Sequence, residues 1–421
     1  MHVLYFHQYF TTPNVAGGTR SYEMARQLLA RGHTVTMVCA RQGKNGFALA
    51  GDLDAPVLEG MVDGIRVLQF NLEYSNYMSL PRRALVFLRF ALRSVGVALR
   101  LDYDLLFATS TPLTAGIPGI IARPLRRKPF VFEVRDLWPE LPRAMGVVSN
   151  PLVLAGMSVL EWLSYWTATA CIALAPGIRD GIARRSPAGR AIAMIPNGCD
   201  LDLFQPGRRE ELDLPGVKAG DCVAVFTGAH GMANGLDAVL DAAAVLMRRG
   251  RRDIVLAFIG DGKLKPRLVA RAQAEGLKNC LFMDPMPKNR LNRVVSCCDV
   301  GLMILDDVPA FYYGTSPNKF FDYISSGLPV LNNYPGWLAG MIREHRCGVA
   351  VPPRDPEAFA DALCALADDP ERRREYGRNA RLLAEKMFSR ERLANEFVDW
   401  LEEVYGHGND NQGKWRTKNG R

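Results

Sequence analysis

Short apolar runs and helix-length amphipathic stretches alternate along almost the whole chain. HVLYF leads into a helical pattern from about Gly18, and TVTMVC, DLLFAT, FVFEV, TACIALA and AIAMIP follow with helical stretches between them. Strands joined through helices form βαβ units, because each crossover returns the next strand parallel to the last. After Pro196 the scheme restarts with VAVFTG, a helix over 236–249, IVLAFIG, a helix over 264–275, and strands near Leu281, Val300 and Val330. The expected fold class is therefore α/β, with two doubly wound Rossmann-like units in series and parallel sheets. Their expected spans are 1–200 and 201–389, with a last helix over 390–405 packing back on the first unit and a polar tail, 406–421, left disordered. The size fits, since 421 residues exceed the ~100–200 of one domain and 48% of them are hydrophobic.

Within the second unit, the helix over 236–249 places Leu236, Val239, Leu240, Ala243, Leu246 and Met247 on one face, as a helix packed on a sheet requires. The turns before this helix (FTGAHGMANGLD) and before the first one (FHQYFTTPNVAGGTR) are both glycine-rich and follow strand 1 of their unit. Free N–H groups and the helix dipole make such turns anion sites. A ligand is expected in the cleft between two facing units.

Composition narrows the setting. Nine cysteines, an odd number with no CxxC pair, argue for a reducing compartment. The opening MHVLYFHQYF carries no basic n-region, long apolar core or small-residue cleavage site, so no signal peptide is expected and the chain reads as cytoplasmic. Residues 1–195 hold 21 Lys and Arg against 13 Asp and Glu, whereas the remainder holds 31 of each. An anionic partner touching the first half alone would account for that split.

The patterns GxxxxGK[ST], GxGxxG, GxSxG and HExxH are all absent, which disfavours P-loop NTPases, simple dehydrogenases, serine hydrolases and zincins. DxD occurs at Asp52/Asp54, Asp102/Asp104 and Asp200/Asp202. Three hits for so short a pattern are what chance gives, and no metal is expected. The most informative stretch is GTSPNKFFDYISSGLPV, residues 314–330. Ser316 or Asn318 can cap a helix that Pro317 starts, and Lys319 then falls in its first turn. A cation there opposes the helix dipole unless an anion is bound, which points to a diphosphate. Asp322, one turn on, suits ribose hydroxyls; the plain alternative is a surface helix with an ordinary Lys and Asp.

Gly17, Gly18 and Thr19 after the first strand, PNGCD at 196–200, TGAHGMANGLD at 227–237, IGDGKLKPRL at 259–268 and SPNKFFDYISSGLPV at 316–330 occur in the order found in family-four retaining glycosyltransferases. The resemblance runs from about residue 2 to about 400, and FEVRDLWPE at 132–140 is similar to the subgroup that builds bacterial O-antigen, capsule or exopolysaccharide, N-acetylfucosamine-type transferases included. It implies the GT-B fold and a role for each matching position. Gly17, Gly18 and Thr19 would approach the donor diphosphate and the acceptor. Gly228, His230, Gly231 and Asn234, with Ser316, Pro317, Asn318 and Lys319, would hold the diphosphate from the second unit. Asp322 would take the ribose, and Met286 with Pro287 the base. The Arg and Lys that many relatives carry in the first loop of the second unit are replaced here by Ala229-His230 and Asn234, so Lys319 and His230 are the expected substitutes. The usual glutamate pair is also reduced, its first position being Gly314 and its second Asp322.

At the end of FVFEV, Arg135 could stabilise the leaving diphosphate, and Asp136 could orient the acceptor hydroxyl or the developing sugar cation. A structural pair closing the strand is the plain alternative. Trp138, Glu140 and His7 are acceptor candidates, each equally readable as packing, and Lys263 and Lys265 are possible phosphate neighbours. Arg82, Arg89, Arg93 and Arg100, at intervals of 7, 4 and 7, line one stripe of an otherwise apolar helix, the pattern of an interfacial helix on an anionic membrane. Residues 144–178 contain one charge, Glu161, and with Pro151 and several hydroxyls they read as a buried helix plus a strand rather than a span.

The joint expectation is a retaining transferase moving a sugar, in this subgroup an N-acetylated amino sugar, from a nucleoside diphosphate to a polyprenyl-diphosphate-linked glycan. UDP is the carrier expected on family grounds. No cofactor or metal is expected, the partners are the nucleotide sugar, the lipid-linked acceptor and the inner face of the cell membrane, and nucleic acid is not among them. A GT-B sugar-nucleotide epimerase and a nonenzymatic membrane- or nucleic-acid-binding module are the alternatives.

Overall fold

A computed structural model describes residues 1–15, 17–42, 46–52, 54–75, 78–208, 212 and 214–409. Its contacts divide into two units. Unit 1 comprises Met1–Pro196, Gly314–Ser316 and the chain from Glu391 on; unit 2 comprises Asn197–Tyr313 and Pro317–Arg390.

Unit 1 runs β1 (His2–Phe6), α1 (Arg20–Ala30), β2 (Thr34–Gln42), β3 (Val57–Val62), β4 (Ile65–Tyr74), α2 (Leu80–Arg100), β5 (Leu105–Thr109), α3 (Ile117–Arg126), β6 (Phe130–Val134), α4 (Glu140–Ala144), α5 (Pro151–Thr167), β7 (Ala170–Ala173), α6 (Pro176–Arg185) and β8 (Ala191–Met194). Its sheet has the order β3-β4-β2-β1-β5-β6-β7-β8, parallel except for the β3/β4 pair. β5, β6 and β7 are buried along their whole length, which is why they read as nearly continuous apolar runs rather than alternating ones. The β3/β4 hairpin is absent from the alternation described above. Its turn, Asp63 and Gly64 both at positive φ, is the Asp-Gly signal that marks a two-residue hairpin.

Unit 2 runs β9 (Cys222–Thr227), α7 (Asp237–Arg248), β10 (Ile254–Ile259), α8 (Lys265–Ala274), β11 (Cys280–Met283), α9 (Lys288–Val295), β12 (Val300–Met303), α10 (Pro309–Gly314), α11 (Asn318–Ser325), β13 (Val330–Asn332), α12 (Trp337–Glu344), β14 (Gly348–Ala350), α13 (Pro356–Asp368) and α14 (Pro370–Met387). Its six strands are all parallel, in the order β11-β10-β9-β12-β13-β14. Val239, Leu240, Ala243 and Leu246 of α7 are buried in the core that β9, β10 and β12 share. In both sheets the first strand has its successor on one side and a later strand on the other. This reversal of strand order is where α/β sheets bind ligands, at the strands' carboxyl ends.

The last helix, α15 (Arg390–Asn409), continues to Asn409, beyond the expected end at 405, so 406–409 are helical and 410–421 lie outside the described residues. From Glu391 on it belongs to unit 1. Phe397, Val398, Leu401 and Val404 are fully buried, with Phe397 edge-on to Phe107 at 5.1 Å, while Arg31 and His33 pair with Glu402 at 2.8 and 2.7 Å.

The stretch 144–178 departs from the expected buried helix. In α5 the buried side chains are Glu161, Ser164 and Tyr165, whereas Leu152, Val159, Trp162 and Trp166 are exposed, Leu152 to 82%. The helix turns its polar side inward because Glu161 accepts the Trp138 amide at 3.0 Å and the Tyr165 hydroxyl at 2.8 Å and pairs with Arg185.

Candidate functional site

In unit 2 the site is built at the end of β9. Thr227 donates its backbone N–H to the Tyr323 hydroxyl of α11 at 2.9 Å, which joins the strand end to that helix. Gly228 follows at φ +133°, and Gly260, after β10, lies so close that a Cβ on it would stand 1.9 Å from the Gly228 carbonyl oxygen. A Cβ on Gly262 would come within 2.6 Å of the His230 carbonyl. The GDG motif thus serves to press one loop against another. Lys265 is committed to that packing: its ammonium donates to the Gly260 and Met283 carbonyls and to Asp284, which removes it from the phosphate candidates.

Lys319, the second residue of α11, reaches back to this loop. Its Nζ donates to Asn234 Oδ1 at 2.6 Å and stands 4.1 Å from the centre of the Phe226 ring, while Asn234 Nδ2 holds the Ala229 carbonyl at 2.7 Å. A Cβ on Gly228 would touch the Lys319 stem at 3.4 Å. Burial pushes the ammonium down to about 7, so the group gives up its proton easily unless an anion arrives. Lys319 thereby reaches the loop that lacks its own Arg and Lys. His230 adds no charge there. It is fully buried among Phe226, Phe258 and Phe282, neither ring nitrogen has a partner, and burial, aided by Lys265, pushes it down to about 4. His230 is therefore neutral at pH 7 and packs the loop from beneath. Gly231 precedes the short turn Met232–Asn234.

Neither Ser316 nor Asn318 caps α11: its N-cap is Pro317, without a side-chain bond, so the amides of the first turn lack the cap that the sequence suggests. Asp322 is buried, its Oδ1 without a hydrogen bond and 3.6 Å from Lys288 Nζ. Burial raises its carboxyl, against the pull of Lys288. Lys288 is shared with Asp200, at 2.7 Å, which also pairs with Arg390. Burial opposes ionisation of Asp200, but Arg390 and Lys288 outweigh it and hold the carboxyl low. The third DxD is thus an ion-pair anchor for the PNGCD loop. Met286, half-buried, lies in the link between β11 and α9. Among the described residues no three His, Cys, Asp or Glu side chains converge to hold a metal ion.

In unit 1 the corresponding ends are those of β1, β5 and β6. Gly17 adopts φ +147°, Thr11 Oγ1 donates to the Gly18 carbonyl at 2.9 Å, and Thr19, at the N-cap of α1, leaves its buried hydroxyl unpartnered. Arg135 is held at several points: Nε donates to Thr109 Oγ1 at 2.8 Å, Nη2 to Ser21 Oγ at 3.1 Å, and the guanidinium pairs with Glu133 at 3.2 Å. Its anchor is thus Glu133 rather than Asp136. Asp136, half-buried, is pushed up to about 6 by burial, with Arg135 opposing. His7 is 2% exposed with Nδ1 unpartnered; burial and then Arg135 keep it neutral. Trp138 is half-buried with an unpartnered Nε1, and Glu140 is exposed at the start of α4.

Three residues escaped the sequence argument. Arg20 and Glu133 form a fully buried ion pair at 2.8 Å, with Arg20 also donating to the Pro196 and Ile195 carbonyls. A Glu inside an apolar strand was the available signal. Gln8 is wholly buried with both amide atoms unpartnered, and nothing in the sequence marks it. On α2, Arg82, Arg89, Arg93 and Arg100 are exposed, although Arg93 turns inward to the Pro56 carbonyl at 3.2 Å.

Residues 16–198 match the glycosyl transferase 4-like domain, and residues 221–369 match glycosyl transferases group 1. The chain has the GT-B fold and carries these two glycosyl transferase domains. This GT-B chain is 31% identical over 197 residues to the D-inositol 3-phosphate glycosyltransferase of Nocardia farcinica, covering 45% of this chain and 42% of that one. It is 25% identical over 181 residues to the O-antigen chain mannosyltransferase C of Escherichia coli, covering 43% and 46%. The aligned part spans less than half of each of these relatives. HepE of Anabaena, solved in complex with UDP-glucose, shares the fold with a TM-score of 0.67 at 16% identity, over 96% of this chain and all of that one.

Proposed function

We propose that this chain is a retaining glycosyltransferase that moves a sugar, an N-acetylated amino sugar in this reading, from UDP to a polyprenyl-diphosphate-linked glycan in the making of bacterial surface polysaccharide. The observation that carries it is the Lys319 ammonium seated on Asn234 beneath the Gly228 turn, at the start of a helix whose N-cap offers no side chain. A half-buried cation at the start of a helix without a side-chain cap is a site for a doubly charged group. HepE's UDP-glucose supports UDP, and the Escherichia coli relative's O-antigen chain supports the acceptor class, whereas the inositol phosphate acceptor of the Nocardia enzyme is the competing choice.

In this reading unit 2 binds the donor: Lys319 and the amide of Asn318 take the diphosphate, and Asp322 the ribose. Unit 1 serves the acceptor, with Asp136 orienting its hydroxyl and Arg135, fixed by Thr109, Ser21 and Glu133, countering charge on the leaving group. The donor's C–O bond breaks as the acceptor oxygen joins the same face of the sugar carbon, and the hydroxyl proton passes to the departing phosphate oxygen. Neither a protein nucleophile nor a metal takes part. The basic stripe of α2 would rest on the inner leaflet that carries the acceptor.

The test is nucleoside diphosphate release from UDP-, GDP- and ADP-sugars, with and without EDTA, in the presence of polyprenyl acceptors. Release that needs UDP-sugar and acceptor and survives EDTA is expected. Altered sugar nucleotide formed without acceptor would make the chain an epimerase, and failure to bind any nucleoside diphosphate would leave a nonenzymatic binding module.

A further inference from the structure

The stripe Leu152, Ala155, Val159, Trp162 and Trp166 repeats at intervals of 3, 4, 3 and 4, so it occupies one face of α5, and every member is exposed. A helix that meets water does the reverse, turning such a stripe to the core. Rotating α5 to hide it would expel Glu161 from the Trp138 amide, Tyr165 and Arg185, so the orientation is fixed from within. Trp162 and Trp166 lie side by side, ring centres 6.0 Å apart.

The stripe has company. α3 packs against both α2 and α5, which makes the three one layer of unit 1. α3 ends in Leu125, 67% exposed, and α2 exposes Leu85, Leu88 and Leu92, one face at i, i+3 and i+7 beside its arginine stripe. No acidic residue occurs between Glu73 and Asp102 or between Asp104 and Glu133, while Arg82, Arg89, Arg100 and Arg127 are exposed there. Apolar rows and paired tryptophans flanked on the α2 and α3 side by exposed arginines match one surface, an anionic bilayer: the rings suit the headgroup boundary and the arginines the phosphates. No helix among the described residues is long and apolar enough to cross a membrane, so the layer would lie on the bilayer.

We infer that the outer face of α5, with the leucine row of α2, inserts into an anionic membrane surface. This rests on the peripheral-membrane part of the proposed function and identifies the element that enters the lipid. Glu161 gives it a consequence: the helix that enters the lipid also holds, on its inner side, the loop two residues past Asp136.

The test uses the full chain with phosphatidylcholine vesicles, with or without 30% phosphatidylglycerol, carrying brominated acyl chains. The intact protein is expected to sediment with the anionic vesicles and its tryptophan emission to be quenched. The double variant Trp162→Ser/Trp166→Ser, altered at two exposed positions, is expected to bind those vesicles at least tenfold more weakly with an unchanged melting temperature. Equal vesicle binding by the double variant would overturn the inference. So would a lipid-free dimer that the double variant converts to monomer while the intact protein ignores vesicles, because the stripe would then be a protein interface. The readouts are separable from the enzymatic reading: tryptophan-dependent vesicle binding without sugar transfer removes that reading alone, and sugar transfer with tryptophan-independent vesicle binding removes this inference alone.

Discussion

Lys319 and Asp136 carry opposite charges that burial disfavours, and each is poised near neutrality. Asp136, raised to about 6, loses its charge as pH falls through 6, whereas Lys319, lowered to about 7, loses its charge as pH rises through 7. Both are ionised only in between, so kcat/KM is expected to follow a narrow bell with limbs near those values. A bound diphosphate favours the ammonium, so the alkaline limb should move upward in kcat. Asp136→Asn should abolish the acidic limb and lower turnover by roughly 10²–10³. Lys319→Met should abolish the alkaline limb and weaken donor binding by ~10–100-fold, the loss of one charged hydrogen bond. An acidic limb that survives in Asp136→Asn would assign the titration elsewhere. The same logic excludes His230, whose neutral ring has no charge to offer above about 4.

The proposed donor site joins the first turns of α11 to two loops, and glycines set how closely those loops approach. Gly260 combines φ +153° with a Cβ position 1.9 Å from backbone, whereas Gly250, at φ +76°, has nothing within 4 Å. Gly250→Ala is therefore expected to cost only the strain of its backbone, ~1 kcal/mol. Gly260→Ala must also push the Gly228 loop away, so it should lower stability further and weaken nucleotide binding at least tenfold. Thermal melts and titrations on the two variants check this, and equal behaviour would mean that the loop yields freely. The sequence disclosed the glycine-rich turns and the first-turn lysine, because both are local. It did not disclose that Lys265 is spent on carbonyls or that His230 lies beneath the loop, because those depend on what two other strands bring alongside.

The chain does not divide into its units at one point. α15 returns to unit 1, and Phe397, Val398, Leu401 and Val404 are fully buried there. At ~1.5–3 kcal/mol for each such side chain, their loss would remove on the order of 6–12 kcal/mol, comparable to the ~5–15 kcal/mol that holds a whole domain together. A chain ending before Arg390 is expected to lose the melting transition of unit 1, followed by calorimetry, while unit 2 melts separately. Two undisturbed transitions would show α15 to be dispensable. Arg20 and Glu133 make a second long-range tie, closing the first helix onto β6 and onto the carbonyls at the end of unit 1.

Alternating short apolar runs and helical patterns were enough to determine two doubly wound units and most of their strands, since burial on both faces of a parallel sheet leaves a local and repeated imprint. The order of five motifs did the same for the family. Tertiary structure alone decided which charges are free to act. It pairs Arg135 with Glu133, locks Asp200 between Lys288 and Arg390, and brings Lys319 to Asn234 across 85 positions of sequence. It also turned α5 inside out. Composition made that helix look buried, but Glu161, held from three sides, outweighs an apolar stripe that water can reach, because an unpaired buried charge is the costlier arrangement.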